Sequence, residues 1–91
     1  MIFNVAIAVI EWGYFRAATL KNCVLSCDTT DHRWEITGTL AEAIAFRLTQ
    51  RPLTLTVHLA AGGAMRWPIE ELEEAGAGAM RARLGPRERR H

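Results

Sequence analysis

Four side chains in this 91-residue chain could ligate a metal or carry nucleophilic chemistry: Cys23, Cys27, His32 and His58. A zinc site needs three or four converging nitrogen or sulfur ligands. Three residues separate the two cysteines, not the commoner two, and no second pair follows. A cysteine nucleophile needs a histidine base beside it, and no local signature joins the two residue types. In an extended segment the two cysteines lie about 13 Å apart, at about 3.3 Å per residue. That is beyond the roughly 7 Å that a disulfide spans. They read as reduced, buried thiols. Gly62-Gly63 lacks the following lysine of a phosphate-cradling loop. These residues imply no enzyme, no metal and no cofactor.

Charge and aromatic side chains offer binding chemistry instead. Glu70, Glu71, Glu73 and Glu74 form an acidic run that could mimic nucleic-acid phosphates toward a protein partner. Trp12, Tyr14 and Phe15 cluster at a break in the pattern. They suit either an interface anchor or a cap on the end of the fold. Arg66, Arg81 and Arg83 alternate with apolar residues. With Thr54, Thr56 and His58, and with Arg87, Arg89 and Arg90, they could form a basic stripe that contacts phosphates. The plainer reading pairs those arginines with the acidic run nearby. The net charge of +1 by itself implies neither a nucleic-acid nor a membrane partner.

Ninety-one residues make one small domain, read as residues 1–86 with a basic tail at 87–91. Residues 2–10 are apolar on both alternating faces and read as a strand covered on two sides. The segment lacks a basic leading stretch and is half the length of a membrane-spanning helix. A cytoplasmic location is expected.

Residues 14–27 suit either a strand or a helical turn, and residues 28–32 a polar turn. Trp34, Ile36 and Leu40 share a strand face with Gly38, a place for a bulge or a neighbouring large ring. Thr39 and Glu42 have capping-box spacing, and Leu40, Ile44 and Leu48 recur every fourth residue. A helix over 40–48 is expected, ending before Pro52.

Leu53, Leu55, Val57 and Leu59 alternate with Thr54, Thr56 and His58. Met65, Trp67 and Ile69 alternate with Ala64, Arg66 and Pro68. With residues 60–63 as the turn, these form a β-hairpin. Pro68 marks an edge or a strand end, because it cannot donate to a ladder. A free edge there, or at the amino-terminal strand, could pair between subunits. A helical turn is expected after Pro68, and Met80, Ala82 and Leu84 give a last strand. The fold class is therefore mainly β: a small antiparallel sheet of five to six strands curled into a barrel or sandwich. It holds at most one short helix, and α+β is the alternative.

The stretch Phe46-Arg47-Leu48-Thr49-Gln50-Arg51-Pro52-Leu53 resembles small proteins of tailed bacteriophages and prophages. Arg66-Trp67-Pro68-Ile69 and Leu84-Gly85-Pro86-Arg87 look similar too, and the likeness spans residues 33–88. The resemblance implies a phage origin. By analogy with phage accessory proteins it implies action by binding. The leading expectation is a non-enzymatic protein-interaction module, an inhibitor of a bacterial defence complex in the manner of anti-CRISPR proteins. The alternatives are a small β-barrel nucleic-acid-binding protein and a minor phage structural or assembly protein. The partner is a bacterial protein complex or a second copy, with nucleic acid as the alternative.

Overall fold

The computed structural model describes residues 2–86. The basic tail at 87–91, including Arg87, Arg89 and Arg90, lies outside the described residues. Six strands alternate in direction: β1 (Ile2–Trp12), β2 (Phe15–Asp28), β3 (Arg33–Ala43), β4 (Thr54–Leu59), β5 (Ala64–Gly76) and β6 (Ala79–Leu84). A short helix, α1 (Ala45–Leu48), joins β3 to β4. Every pairing is antiparallel, and the order β1-β2-β3-β6-β5-β4 closes on itself through β1 and β4. A ring suits so short a chain, because closure removes the free edges of an open sheet.

The β4–β5 hairpin follows its pattern. Leu53, Leu55 and Val57 are fully buried, and His58 is exposed. Trp67 and Ile69 enter the core from β5, and Met80, Ala82 and Leu84 from β6. Burying each large side chain contributes roughly 1.5–3 kcal/mol. Trp67 is wholly buried and sits 5.1 Å from the Trp34 ring, which stacks on Phe3 at 5.3 Å.

Several expectations give way to tertiary pairing. β1 is not covered on both sides. Its phase slips between Val5 and Ile7, where the register against β4 shifts. Phe3 and Val5 pack against the core before the slip, and Ala8 and Ile10 are buried after it. Ile7 stays outside. The ambiguous segment after Tyr14 is strand β2, and it also carries a bulge. Leu20 and Leu25 both point inward although four residues, an even number, separate them, and Asn22 takes φ 52°. Asn is among the few residues that adopt this conformation readily.

The helix expected over 40–48 shrinks to α1. Residues 40–43 extend β3, because Leu40 pairs with Leu20 and Ala43 with Ala18. Thr39 and Glu42 sit in the same ladder, and the N-cap residue of α1 is Ile44, with no side-chain cap. Residues 70–74 form no helical turn. They continue β5, held against β6 by the pairs Glu71–Arg83 and Glu73–Arg81.

Pro68 is neither an edge nor a strand end. β5 pairs with β4 up to Pro68 and with β6 from Ile69 onward. The Pro68 carbonyl accepts from the Gly85 N–H, and Ile69 N–H donates toward Leu53 on the other side. The missing donor of Pro68 therefore points past the last residue of β6, where no ladder bond is lost. Nor is the amino-terminal strand a free edge, since β1 pairs with β2 and with β4.

Candidate docking face

The ring sorts its outward chemistry by strand. Among the described residues, the large apolar side chains left exposed are Ile2, Ile7, Tyr14, Phe15, Val24, Ile44 and Phe46. All belong to β1, the β1–β2 turn, β2 or α1 with its N-cap residue Ile44. Strands β4, β5 and β6 contribute none.

Local structure explains why the aromatic members stand out. β1 and β2 join through Gly13 and Tyr14, and Gly13 takes φ 60°, which a side-chain-bearing residue rarely does. The tight turn projects Tyr14 wholly into solvent, at 102% exposure. Trp12 folds back to pack against the core, 6.1 Å from the Phe15 ring. It is thus a cap on the core, while Tyr14 and Phe15 face outward.

α1 lies on β2, fixed by Ile44 N–H donating to the Ala17 carbonyl. Ala17 is buried, and its small side chain lets the helix approach. Arg47 rivets the contact. Its Nη1 donates to the Arg16 carbonyl at 3.0 Å, and its guanidinium carbon lies 4.8 Å from the Phe15 centroid and 5.5 Å from that of Phe46. Such cation–π contacts each contribute roughly 0.5–1 kcal/mol at exposed sites. Tyr14, Phe15, Ile44, Phe46 and Arg47 thus form one aromatic–arginine patch.

The patch adjoins a groove of about 300 Å³ over the outer faces of β1, β2 and β3. Ile7, Val9 and Ala41 supply its apolar wall, and Arg16, Lys21 and Glu42 its charges. Thr19 also lines it, is only 7% exposed, and its hydroxyl has no hydrogen-bond partner.

The acidic run sits elsewhere. Glu71 accepts from Arg83 at 2.6 Å, and Glu73 lies 3.3 Å from Arg81. Arg81 also reaches Glu35 on β3 at 3.0 Å. All of these side chains are about half exposed, so each pair contributes at most about 1 kcal/mol. Glu70 and Glu74 are exposed and form no ion pair among the described residues.

The three candidate arginines do not act together. Arg81 and Arg83 face carboxylates from β6, whereas Arg66 pairs across from Thr56 on the β4 side of β5. Thr56 donates to Glu11 at 2.7 Å. Among the cysteines, Cys23 is half-buried, and desolvation raises its thiol above the ordinary range. No three His, Cys, Asp or Glu side chains converge to hold a metal among the described residues. No helix among them is long and apolar enough to cross a membrane.

Sequence reasoning found Trp12, Tyr14 and Phe15 but missed Ile44, Phe46 and Arg47. A signal for Phe46 was available. If Leu40, Ile44 and Leu48 mark a helix's inner stripe, Phe46 falls on the opposite, outward face. Compared with protein-family models, with curated proteins and with solved structures, the chain matches none.

Proposed function

We propose that this chain is a non-enzymatic protein-interaction module of phage origin that acts by docking on a protein partner through the outer face of β1, β2 and α1. One observation carries the reading: the exposed large apolar side chains gather on that half of the ring and are absent from β4, β5 and β6 among the described residues. Singly scattered apolar residues are normal, whereas a gathered patch points to an interaction surface. Aromatic and arginine side chains are the types that dominate interface energetics. The phage-like stretches within residues 33–88 support the origin, and a bacterial defence complex is the class of target that the resemblance suggests.

The test begins with tagged protein expressed in bacteria and identification of what co-purifies. The pair is then rebuilt from purified components. Tyr14→Ser with Phe46→Ser should weaken that complex more than tenfold, about 1.4 kcal/mol or more. Glu71→Arg with Glu74→Arg asks whether the acidic run contributes. An unaltered affinity in the Tyr14/Phe46 variant would remove the patch as the docking surface.

A second reading, a nucleic-acid-binding barrel, draws on Arg66. It is exposed, makes no ion pair among the described residues, and lies across from Thr56. Affinity for an oligonucleotide should then fall steeply with rising salt, since each phosphate contact releases a counterion. No binding at low salt would end it.

A further inference from the structure

Closure of the ring is incomplete along β5. Its first half pairs with β4 and its second half with β6. On the β4 side the last ladder bond runs from the Ile69 N–H to the Leu53 carbonyl, and β4 itself begins at Thr54. From Glu70 to Gly76 the backbone pairs with β6 alone among the described residues. In an antiparallel ladder about every second residue turns its N–H and carbonyl away from the neighbouring strand. Along residues 70–76 those groups point to the side where β4 has ended. All of these residues are exposed except Leu72, which is half-buried. The stretch is a strand edge about 23 Å long, at about 3.3 Å per residue.

An edge of this kind can template another strand. We infer that the 70–76 edge of β5 receives an extended, lysine- or arginine-rich segment of a partner protein, which adds a strand to the sheet. This surface is separate from the β1–β2–α1 face and does not depend on it.

The side chains select the occupant. Glu70, Glu71, Glu73 and Glu74, with Glu35 of β3, make five carboxylates. They meet Arg81 and Arg83 beside them, and Arg66 on the β4-paired half of β5 still leaves two negative charges in excess. Glu70 and Glu74 lie outside the ion pairs among the described residues. Charge on an edge guards it against other edges. A guard of one sign is selective. A second copy pairing there sets glutamates against their own kind, and like charges directly opposite destabilise a ladder. A nucleic acid brings more negative charge. A cationic strand meets carboxylates, while its backbone takes up the free donors and acceptors of the edge.

Amide exchange followed by NMR, with fluorescence anisotropy, tests this on the whole chain. In the free protein, alternate amides of residues 70–76 should exchange faster than those of β6, which is paired on both sides. A labelled peptide of about eight residues, alternating lysine and threonine, spans the edge and should bind and slow those amides. Methylating alternate backbone nitrogens of the peptide keeps its charge but removes the donors on one of its two edges. One of the two methylation phases should cost at least about tenfold in affinity, and the other little. Glu70→Gln with Glu74→Gln should weaken binding about threefold or more, with wild-type melting. Amides protected throughout residues 70–76 in the free chain overturn the proposal, as does a lack of peptide binding at low salt. Binding indifferent to both methylation patterns is charge attraction alone and overturns it too, as does equal affinity for a peptide alternating glutamate and threonine. Protection that rises with protein concentration in the absence of peptide marks a second copy as the occupant and likewise overturns it.

Discussion

Gly38→Ala is the substitution whose sign the structure determines most directly. Gly38 is buried in β3, opposite Met80 of β6. A strand-interior glycine normally leaves about 0.5–1 kcal/mol to be gained by alanine, through lower backbone entropy. Here a Cβ would lie 2.9 Å from Cys23 Sγ, 3.1 Å from the Lys21 carbonyl oxygen and 3.3 Å from Leu20 Cβ. These atoms belong to the bulged part of β2, where Lys21 and Val24 leave their register with β3. The bulge leans on the bare Cα of Gly38. Cys23 is a short side chain and Lys21 contributes backbone, so neither yields cheaply.

Overpacking of this kind costs about 1–3 kcal/mol. Set against the entropy gain, Gly38→Ala should destabilise by about 1–2 kcal/mol. For a domain this size that lowers Tm by roughly 4–16 °C. Cys23→Ala removes the closest contact and should recover part of the loss, while the Lys21 carbonyl contact persists. The double variant should therefore lose at least about 0.5 kcal/mol less than the sum of the singles. Thermal melting and urea titration of the four proteins read this directly. A raised Tm for Gly38→Ala, or strict additivity with Cys23→Ala, would refute the packing account.

Three further outcomes follow from named contacts. Leu55→Ala, at a fully buried β4 position, should cost about 2–5 kcal/mol in urea unfolding, through lost transfer energy and a residual cavity. Arg81→Ala breaks two half-exposed ion pairs and should cost no more than about 2 kcal/mol, less still at high salt. Cys23 has its thiol raised by burial, so the unfolded chain loses that proton first. Stability should hold at lower pH and fall as pH climbs through the ordinary thiol range toward the raised value. Melting of wild type and Cys23→Ala across alkaline pH checks this, and an identical decline in both would remove Cys23 as the cause.

What the sequence displayed was local alternation, and what it hid was pairing across the ring. Leu53, Leu55 and Val57 against Thr54, Thr56 and His58 is a period-two signal that needs no partner to be read. Residues 40–43 carry helix-favouring types, yet β2 offers them a ladder through Leu20, Thr19 and Ala18, and the ladder prevails. Residues 70–74 look like a solvated acidic turn until Arg81 and Arg83 stand directly opposite Glu73 and Glu71. The strand phase of β1 changes at a bulge, which no alternation count reveals. The docking face was legible in part for the same reason. Tyr14 and Phe15 mark themselves beside a glycine turn, whereas Phe46 and Arg47 join them only because α1 lies across Ala17.

The outer faces of β1 and β4 bear on whether the apolar patch serves folding or binding. The two strands pair with each other, and their inward residues share one core. β4 meets solvent with Thr54, Thr56 and His58, and β1 with Ile7 and Val9. Folding thus tolerates threonine on the outside of this ring, and nothing in the ladder asks β1 for more. Ile7→Thr with Val9→Thr keeps β-branched side chains and hence strand propensity. That variant should melt close to wild type, within the roughly 0.5 kcal/mol expected for each surface change. It should also weaken binding at the face, read as a higher Kd of the complex rebuilt with the captured partner. A variant that fails to fold would show that the outer face of β1 is needed for stability. One that folds and associates as before would show that Ile7 and Val9 take no part in docking.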